Sequence, residues 1–395
     1  MNCSAGVSPA SNNQSLQAQR MAKPAHLKIL QQGVEAWNGW RAENPYTTPS
    51  LADAELVGWD LEGFDLRQAD LKRANLDQAC LYDALLEQVD LRQASLRQAD
   101  LSSTQLVGVQ LRQANLSQAA LGHSTLHEID GPGIILDQAL LSQAQLSDCH
   151  FANAQGTHLN AEQAVLHRVN FQRSELPQAS WLNAQFQDVV FAQAELNQSD
   201  WTGAIAQDCD FAGASLLESQ WSAAQLIQVR WQHCDLRRAH LQDQELSQVD
   251  CLGADFSGAQ LCRSQWGAIE LVQTRFNGAD LTLAQLAGIN GTESEFQGAF
   301  LNQANLQGAN LQNANLQGAY VMLGANLEQV NLQGANLSQC RFLDANLRGS
   351  QCQGAVLQDT VWEGVQLQGS HFAENPGLTR RLRRKLHQQG AIFPD

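Results

Sequence analysis

From Leu51 onward a large apolar residue returns at every fifth position. Leu51, Leu56, Leu61, Leu66, Leu71 and Leu76 open a series that runs with few gaps to Val321. Two positions before each the residue is usually small, as at Ala54, Ala69, Ala74 and Ala79. A period of five belongs neither to a helix nor to a flat strand. Between Leu51 and Val321 there are 45 charged residues, and none occupies either of these two positions. Burial excludes unpaired charge, so the two positions mark an interior and the other three a surface.

The phrase is purest in "LQGANLQNANLQGA", Leu306 to Ala319. This A-(D/N)-L-x-x pattern resembles the pentapeptide-repeat family. The resemblance implies an all-β solenoid: a right-handed quadrilateral parallel β-helix in which four pentapeptides make one turn. The central residue and the small one two before it then point inward. Residues twenty apart stack on adjacent turns, which predicts aromatic columns at Phe151, Phe171, Phe191, Phe211 and Trp231, at Trp181, Trp201 and Trp221, and at Phe256, Phe276 and Phe296. Small residues such as Gly156 and Ala161 share a turn with large ones, as a close-packed core of fixed cross-section requires. The glycines of "LQGAN" read as corner residues.

The repeat predicts a β-helix over 51–372 of about 16 turns, or about 77 Å at the spacing of neighbouring strands. "LQGAYVMLGANL" carries one extra residue, a register slip near 320–323 that reads as a bulge at one corner. At "EIDGPGII", Gly131 takes a central position and Pro132 lacks a donor, which predicts a protruding or loosened corner. Residues 1–23 are rich in Ser, Asn and Gln and read as a disordered leader. Leu27, Leu30, Val34, Trp37 and Trp40 have helical spacing and predict an N-terminal helical cap over 24–45. It resembles the helical leader of other family members. Leu378, Leu382 and Leu386, with Gly390 as C-cap, predict a C-terminal capping helix and tail over 375–395. Both ends of a β-helix need such covers.

The formal net charge is −16, which disfavours nucleic acid and anionic membranes as ligands of the solenoid. No apolar run is long enough for a membrane span and no secretory signal is visible. Nine cysteines without a CxxC fit a reducing cytoplasm. Cys149, Cys209, Cys234, Cys251, Cys340 and Cys352 fall at inward positions, while Cys80 and Cys262 are expected to face outward. His127 and His167 share an outward column about 10 Å apart, too far for one ion. No catalytic, cofactor-binding or metal-binding motif appears, so the expectation is a non-enzyme without a cofactor.

The candidate surface is acidic. The side built on Leu61, Leu81 and Leu101 carries Asp60, Glu62, Asp83, Asp100, Glu162, Asp200, Asp243 and Asp280 against one basic residue. Glu175 and Glu195 are neighbours in a second column, as are Asp235 and Asp255. Stacked carboxylates repel, so a solvated face or a cationic partner must tolerate them. Arg380, Arg381, Arg383, Arg384 and Lys385 make a basic helix, read as a cap's solvent side or a docking handle. The expectation is an interaction scaffold, monomeric, for a protein with a basic surface. The family resemblance implies an alternative, since some members mimic DNA and bind gyrase. The solenoid carries one net charge per about 3.7 Å, against one per about 1.7 Å for the duplex.

Overall fold

The computed structural model describes residues 22–394. Cys3 and most of the expected leader lie outside them. Two compact units divide the chain after Glu195, and each is a parallel β-solenoid.

In the first unit, α1 (Pro24–Leu30) and α2 (Val34–Glu43) precede six short strands. These are β1 (Leu85–Glu87), β2 (Gln105–Val107), β3 (Thr125–His127), β4 (Gln145–Ser147), β5 (Val165–His167) and β6 (Gln185–Gln187). Each pairs in parallel with the next at a step of twenty residues, as in Leu86 with Leu106. Most other sides make single parallel bridges with the same step, as from Asn75 to Ser95 to Asn115. The strands line one side only. Two residues after each strand stands Val89, Val109, Ile129, Cys149, Val169 or Val189 rather than alanine; all but Cys149 are β-branched, and such side chains favour extended backbone.

One pentapeptide shows how the fold satisfies its backbone. The Leu116 N–H donates to the Ile135 carbonyl of the next turn at 2.7 Å, and Gln118 to Asp137 at 2.8 Å. Asn115 donates back to Ala94 at 2.9 Å, and Ala119 closes the corner on Leu116 at 3.0 Å. The remaining N–H, of Ser117, is taken by the Asn115 side chain at 2.9 Å. All five donors are used, which explains why Asp or Asn so often precedes a central residue. The corner residue Gln118 has φ 60°, a left-handed conformation that is costly without glycine. Its side chain offsets part of that cost in a ladder, accepting from Gln98 at 2.7 Å and donating to Gln138 at 3.1 Å. Gly308 takes the same position at φ 65°.

The expected break at Gly131-Pro132 is not there. Gly131 donates to His150 at 2.9 Å, and the Pro132 carbonyl accepts from Gln113 at 3.1 Å. Pro132 follows a central residue, at the one position whose N–H the neighbouring turns do not use, so its missing donor costs nothing. Gly131 makes room, because a Cβ there would lie 3.0 Å from the Phe151 ring.

The second unit contains β7 (Ile205–Gln207), β8 (Gln225–Ile227), β9 (Val229–Arg230), β10 (Val249–Asp250), β11 (Tyr320–Val321), β12 (Arg341–Leu343), β13 (Val361–Glu363) and α3 (Arg380–Gln388). Cys209 and Val229 stand two residues after β7 and β8; Ala345, two after β12, is an exception to the rule above. The extra residue of the repeat changes the step from twenty to twenty-one, so Tyr320 pairs with Arg341. Leu323 and Gly324 absorb it at φ 57° and 85°.

The inward columns form as the spacing predicts within each unit. Phe171 stacks on Phe191 with centroids 5.3 Å apart, Trp201 on Trp221 at 4.9 Å and Phe276 on Phe296 at 4.8 Å. The buried indole N–H of Trp221 is satisfied by Ser219 Oγ at 2.8 Å, two residues earlier, and Trp266 uses Ser264 in the same way. Cysteine burial follows the pattern with one correction. Cys80, expected outward, is only 6% exposed. Its short side chain sits in a column between Asp60 and Asp100, with Sγ within 4.8 Å of the Asp60 and Glu62 carboxylates.

At the N-terminal end, α2 serves backbone groups that have no preceding turn. Trp37 Nε1 donates to the Asp65 carbonyl at 2.8 Å, Asn38 accepts from the Asp65 N–H at 2.8 Å, and Arg41 donates to the Arg67 carbonyl at 2.9 Å. Gly33, at φ 96°, breaks the expected single helix in two. His26 is buried against Trp40, and its Nδ1 accepts from the Ser50 N–H at 2.8 Å. At the other end, Ile392 pairs with His371, and Phe393 stacks on Phe372 at 5.6 Å. Leu386 of α3 is buried, and Thr379 caps the helix at 3.1 Å.

Three outcomes follow from this packing. Trp201→Ala should cost about 3–5 kcal/mol, and Trp201→Asp more, because it buries a charge; an unchanged melting temperature for the aspartate variant would refute the inward assignment. Burial pushes the thiols of Cys149, Cys234, Cys340 and Cys352 up to about 12. In mass-resolved alkylation of the native protein, Cys262 should therefore label first among the described cysteines, with these four and Cys80 protected until denaturant is added. Finally, burial and then the Lys23 charge lower the pKa of His26 from 6.5. A lowered histidine pKa contributes stability that is present above 6.5 and is lost as pH falls below it. Melting temperature should drop between pH 7 and 5, and His26→Asn, which keeps an acceptor for Ser50, should flatten that drop.

Candidate interaction surface

The carboxylates divide by what they touch. Asp60, Asp100, Asp200 and Asp280 each precede a central leucine or tryptophan and accept the N–H two residues on, from Glu62 at 3.2 Å, Ser102 at 2.9 Å, Thr202 at 2.9 Å and Thr282 at 3.0 Å. An asparagine would do the same, so their charge is surplus to the fold. Asp60, Glu62, Asp83 and Asp243 are exposed; Asp100, Glu162, Asp200 and Asp280 are half-buried.

Arginine decides which faces stay acidic. In the first unit, Asp53 is paired by Arg73 and Asp65 by Arg67, both at 2.7 Å, and Asp90 by Arg92 and Asp148 by Arg168, both at 2.6 Å. Asp130 has Arg112 at 3.6 Å. Asp60, Glu62, Asp83, Asp100 and Glu162 have no ion pair among the described residues. Glu175 and Glu195, directly bridged to each other, have none either. In the second unit Asp243 is held by Arg263, through two hydrogen bonds that lower its carboxyl pKa. Burial raises the Asp235 carboxyl, but the hydrogen bonds and charge of Arg237 outweigh this and hold it below the usual range. Asp255 accepts from the Ser257 N–H at 2.9 Å. Of the twelve candidate carboxylates, then, Asp243 and Asp235 present a neutralised pair rather than an open charge.

These pairings were legible and were overlooked. "DLR" occurs at Asp65–Arg67, Asp90–Arg92 and Asp235–Arg237, and each makes a pair across the central leucine. Asp53 and Arg73, Asp148 and Arg168, and Asp243 and Arg263 are twenty apart, on adjacent turns.

The basic helix is arranged otherwise. Arg380, Arg381, Arg383, Arg384 and Lys385 are all exposed, and none has an ion pair among the described residues. Arg383 lies over the Phe393 ring, 5.0 Å from its centroid. Other polar clusters carry less. Asp60, Glu62 and Cys80 bring three possible ligand atoms within 4.8 Å, but the thiol is buried and both carboxylates are open to solvent. His127 bonds Ser147 Oγ at 2.8 Å, and His167 lies 3.8 Å from Asp188. No helix among the described residues is long and apolar enough to cross a membrane.

Comparison with known proteins agrees with this geometry. The family model described as Pentapeptide repeats matches residues 50–88, 79–118, 134–183, 184–219, 234–265, 269–308, 284–321 and 325–361. Among solved structures, the chain is similar to the pentapeptide repeat protein Rfr23 from the cyanobacterium Cyanothece 51142. They are 35% identical over 23% of this chain, with a TM-score of 0.23, and the match spans 62% of the Cyanothece protein. It is also similar to HetL, involved in heterocyst differentiation regulation in the cyanobacterium Nostoc sp. Strain PCC 7120, at 20% identity over 69% of this chain and 89% of that one, TM-score 0.18. A third is QnrB1, a plasmid-mediated fluoroquinolone resistance protein, at 21% identity over 51% and 89%, TM-score 0.26. Among curated proteins none matches the chain. With eight stretches matched over more than half its length, the chain belongs to the pentapeptide-repeat family.

Proposed function

We propose that this protein is a non-catalytic cytoplasmic scaffold whose acidic wall binds a protein with a basic surface. The wall comprises Asp60, Glu62, Asp83, Asp100 and Glu162 of the first unit. One observation carries the reading. On other sides of the first unit Asp53, Asp65, Asp90 and Asp148 are paired by arginine, while this side carries no Lys or Arg there and its five carboxylates have no cationic partner among the described residues. Exposed like charges in a rigid array cost folding energy through repulsion and raise the on-rate and specificity for a complementary partner. A solenoid supplies a regular surface for such a partner.

The DNA-mimic reading fares less well on the same observation. Each arginine pair removes a charge that a mimic would use, and the solenoid's charge is already about half as dense as that of the duplex.

The test is a five-site variant, Asp60→Asn, Glu62→Gln, Asp83→Asn, Asp100→Asn and Glu162→Gln, used as bait beside the wild type in a native lysate. The fold should be unaffected, because asparagine keeps the local acceptor. The expected result is a protein retained by wild type, released by moderate salt, and bound about tenfold more weakly by the variant. Equal retention by both would sink the acidic-wall reading. A gyrase supercoiling titration is the second arm. Inhibition by wild type, lost in the variant, would replace the scaffold with the mimic.

A further inference from the structure

On most turns the residue just before the central position is polar, because it faces water and caps the following N–H. In the second unit the column Asp200, Gln220, His240, Gln260 and Asp280 obeys this rule, and then breaks it with Phe300 and Tyr320. These two rings lie on the outside of the solenoid, stacked 5.0 Å apart at 12°. Phe300 is 41% exposed, and Leu323, on the corner that absorbs the extra residue, is 62% exposed. The aromatic pair is bounded at each end by a charge. Asp280 is bridged to Phe300 on one side, and Arg341 pairs with Tyr320 on the other. Asp280 and Arg341 have no ion pair among the described residues, although most arginines of the solenoid do.

The order acid, aromatic, aromatic, base along one column is self-complementary. A two-fold axis lying along the strand direction, midway between Phe300 and Tyr320, reverses the order of the turns and keeps the column in register. It places Phe300 opposite Tyr320 of a second copy, and Asp280 opposite Arg341 of that copy, twice by symmetry. Such isologous contact closes on itself and leaves no free end for a filament. We propose that this column is a homodimer interface, with two copies of the chain meeting antiparallel through Phe300 and Tyr320 and two Asp280–Arg341 pairs. The aromatic pair supplies the buried apolar centre that interface energetics favour, and the charges fix direction, since a parallel arrangement would set Asp280 against Asp280. A single column of four turns spans only about 14 Å, so the contact belongs to the small, weak class with micromolar or weaker affinity.

Sedimentation velocity on the full chain at low salt, from about 5 to about 500 µM to bracket that class, reads the outcome. The weight-average mass of the wild type should rise from 43.2 kDa toward twice that value with concentration. Arg341→Glu, which sets acid against acid at both ends, should weaken association at least about tenfold. Asp280→Lys combined with Arg341→Glu restores opposite charges and should recover dimerisation. Phe300→Ser should weaken it whatever the charges. All these positions face outward, and circular dichroism checks that each variant folds. A wild type that stays monomeric across the range overturns the proposal. So does a double swap that fails to restore what the single reversal lost. A charge-independent dimer would place the interface elsewhere.

Discussion

The whole structure depends on one register. A residue on one turn must find its counterpart twenty positions later, because only then do the carbonyls of the next turn meet the N–H groups of this one. Asn115 to Ala119 shows how tightly that condition binds: five donors, five acceptors, one of them a side chain. Once the register is set, the cross-section is set too, and the core becomes a column problem. Phe151 needs Gly131 beneath it, and Trp201, Trp221 and Trp266 each bond a hydroxyl two residues before them. Size and polarity inside are therefore correlated along the column and across the turn, not only along the chain.

That dependence explains what could and could not be read from the residues alone. The period, the inward pair of positions and the aromatic columns are one-dimensional signals, and the structure follows them. Pro132 was misjudged because a missing donor matters only where the ladder uses that donor, and the period alone does not say which of the five positions is spare. Cys80 was misjudged because a short side chain on an outward position is covered by what stands on the turns before and after it. His26 and Arg41 were missed altogether. An apolar spacing rule selects Leu30 and Trp37 on the N-terminal helices but passes over polar residues that are buried because they bond the open end of the ladder.

The outer surface obeys a different logic from the core. Each outward position has two neighbours in its column and others on its own turn, so a charge is compensated locally or not at all. Arginine two or twenty residues from an aspartate pairs with it in six cases described above, among them Arg67 with Asp65 and Arg73 with Asp53, although among the described residues Asp77 and Asp255 stay unpaired beside Arg97 and Arg275. Composition alone, an excess of acid over base, cannot distinguish these cases. Position in the register does: on the side of the first unit built on Leu61, Leu81 and Leu101 no Lys or Arg falls at either spacing, and Asp60, Glu62, Asp83, Asp100 and Glu162 all stay open.

The same accounting separates structural from surplus chemistry. An aspartate before a central leucine serves the fold through one oxygen, and asparagine would serve as well, so its negative charge requires another reason. A phenylalanine in that place cannot cap the next N–H at all. It gives up the local bond and gains only stacking on its neighbour, worth a fraction of a kcal/mol to about 1 kcal/mol in a cross-strand pair. Phe300 and Tyr320 make that exchange side by side, on the turns where the chain also spends its one extra residue. A fold built from repeated identical choices makes such departures conspicuous. Departures that sacrifice a hydrogen bond on an exposed face are better explained by something outside the chain than by the stability of the solenoid itself.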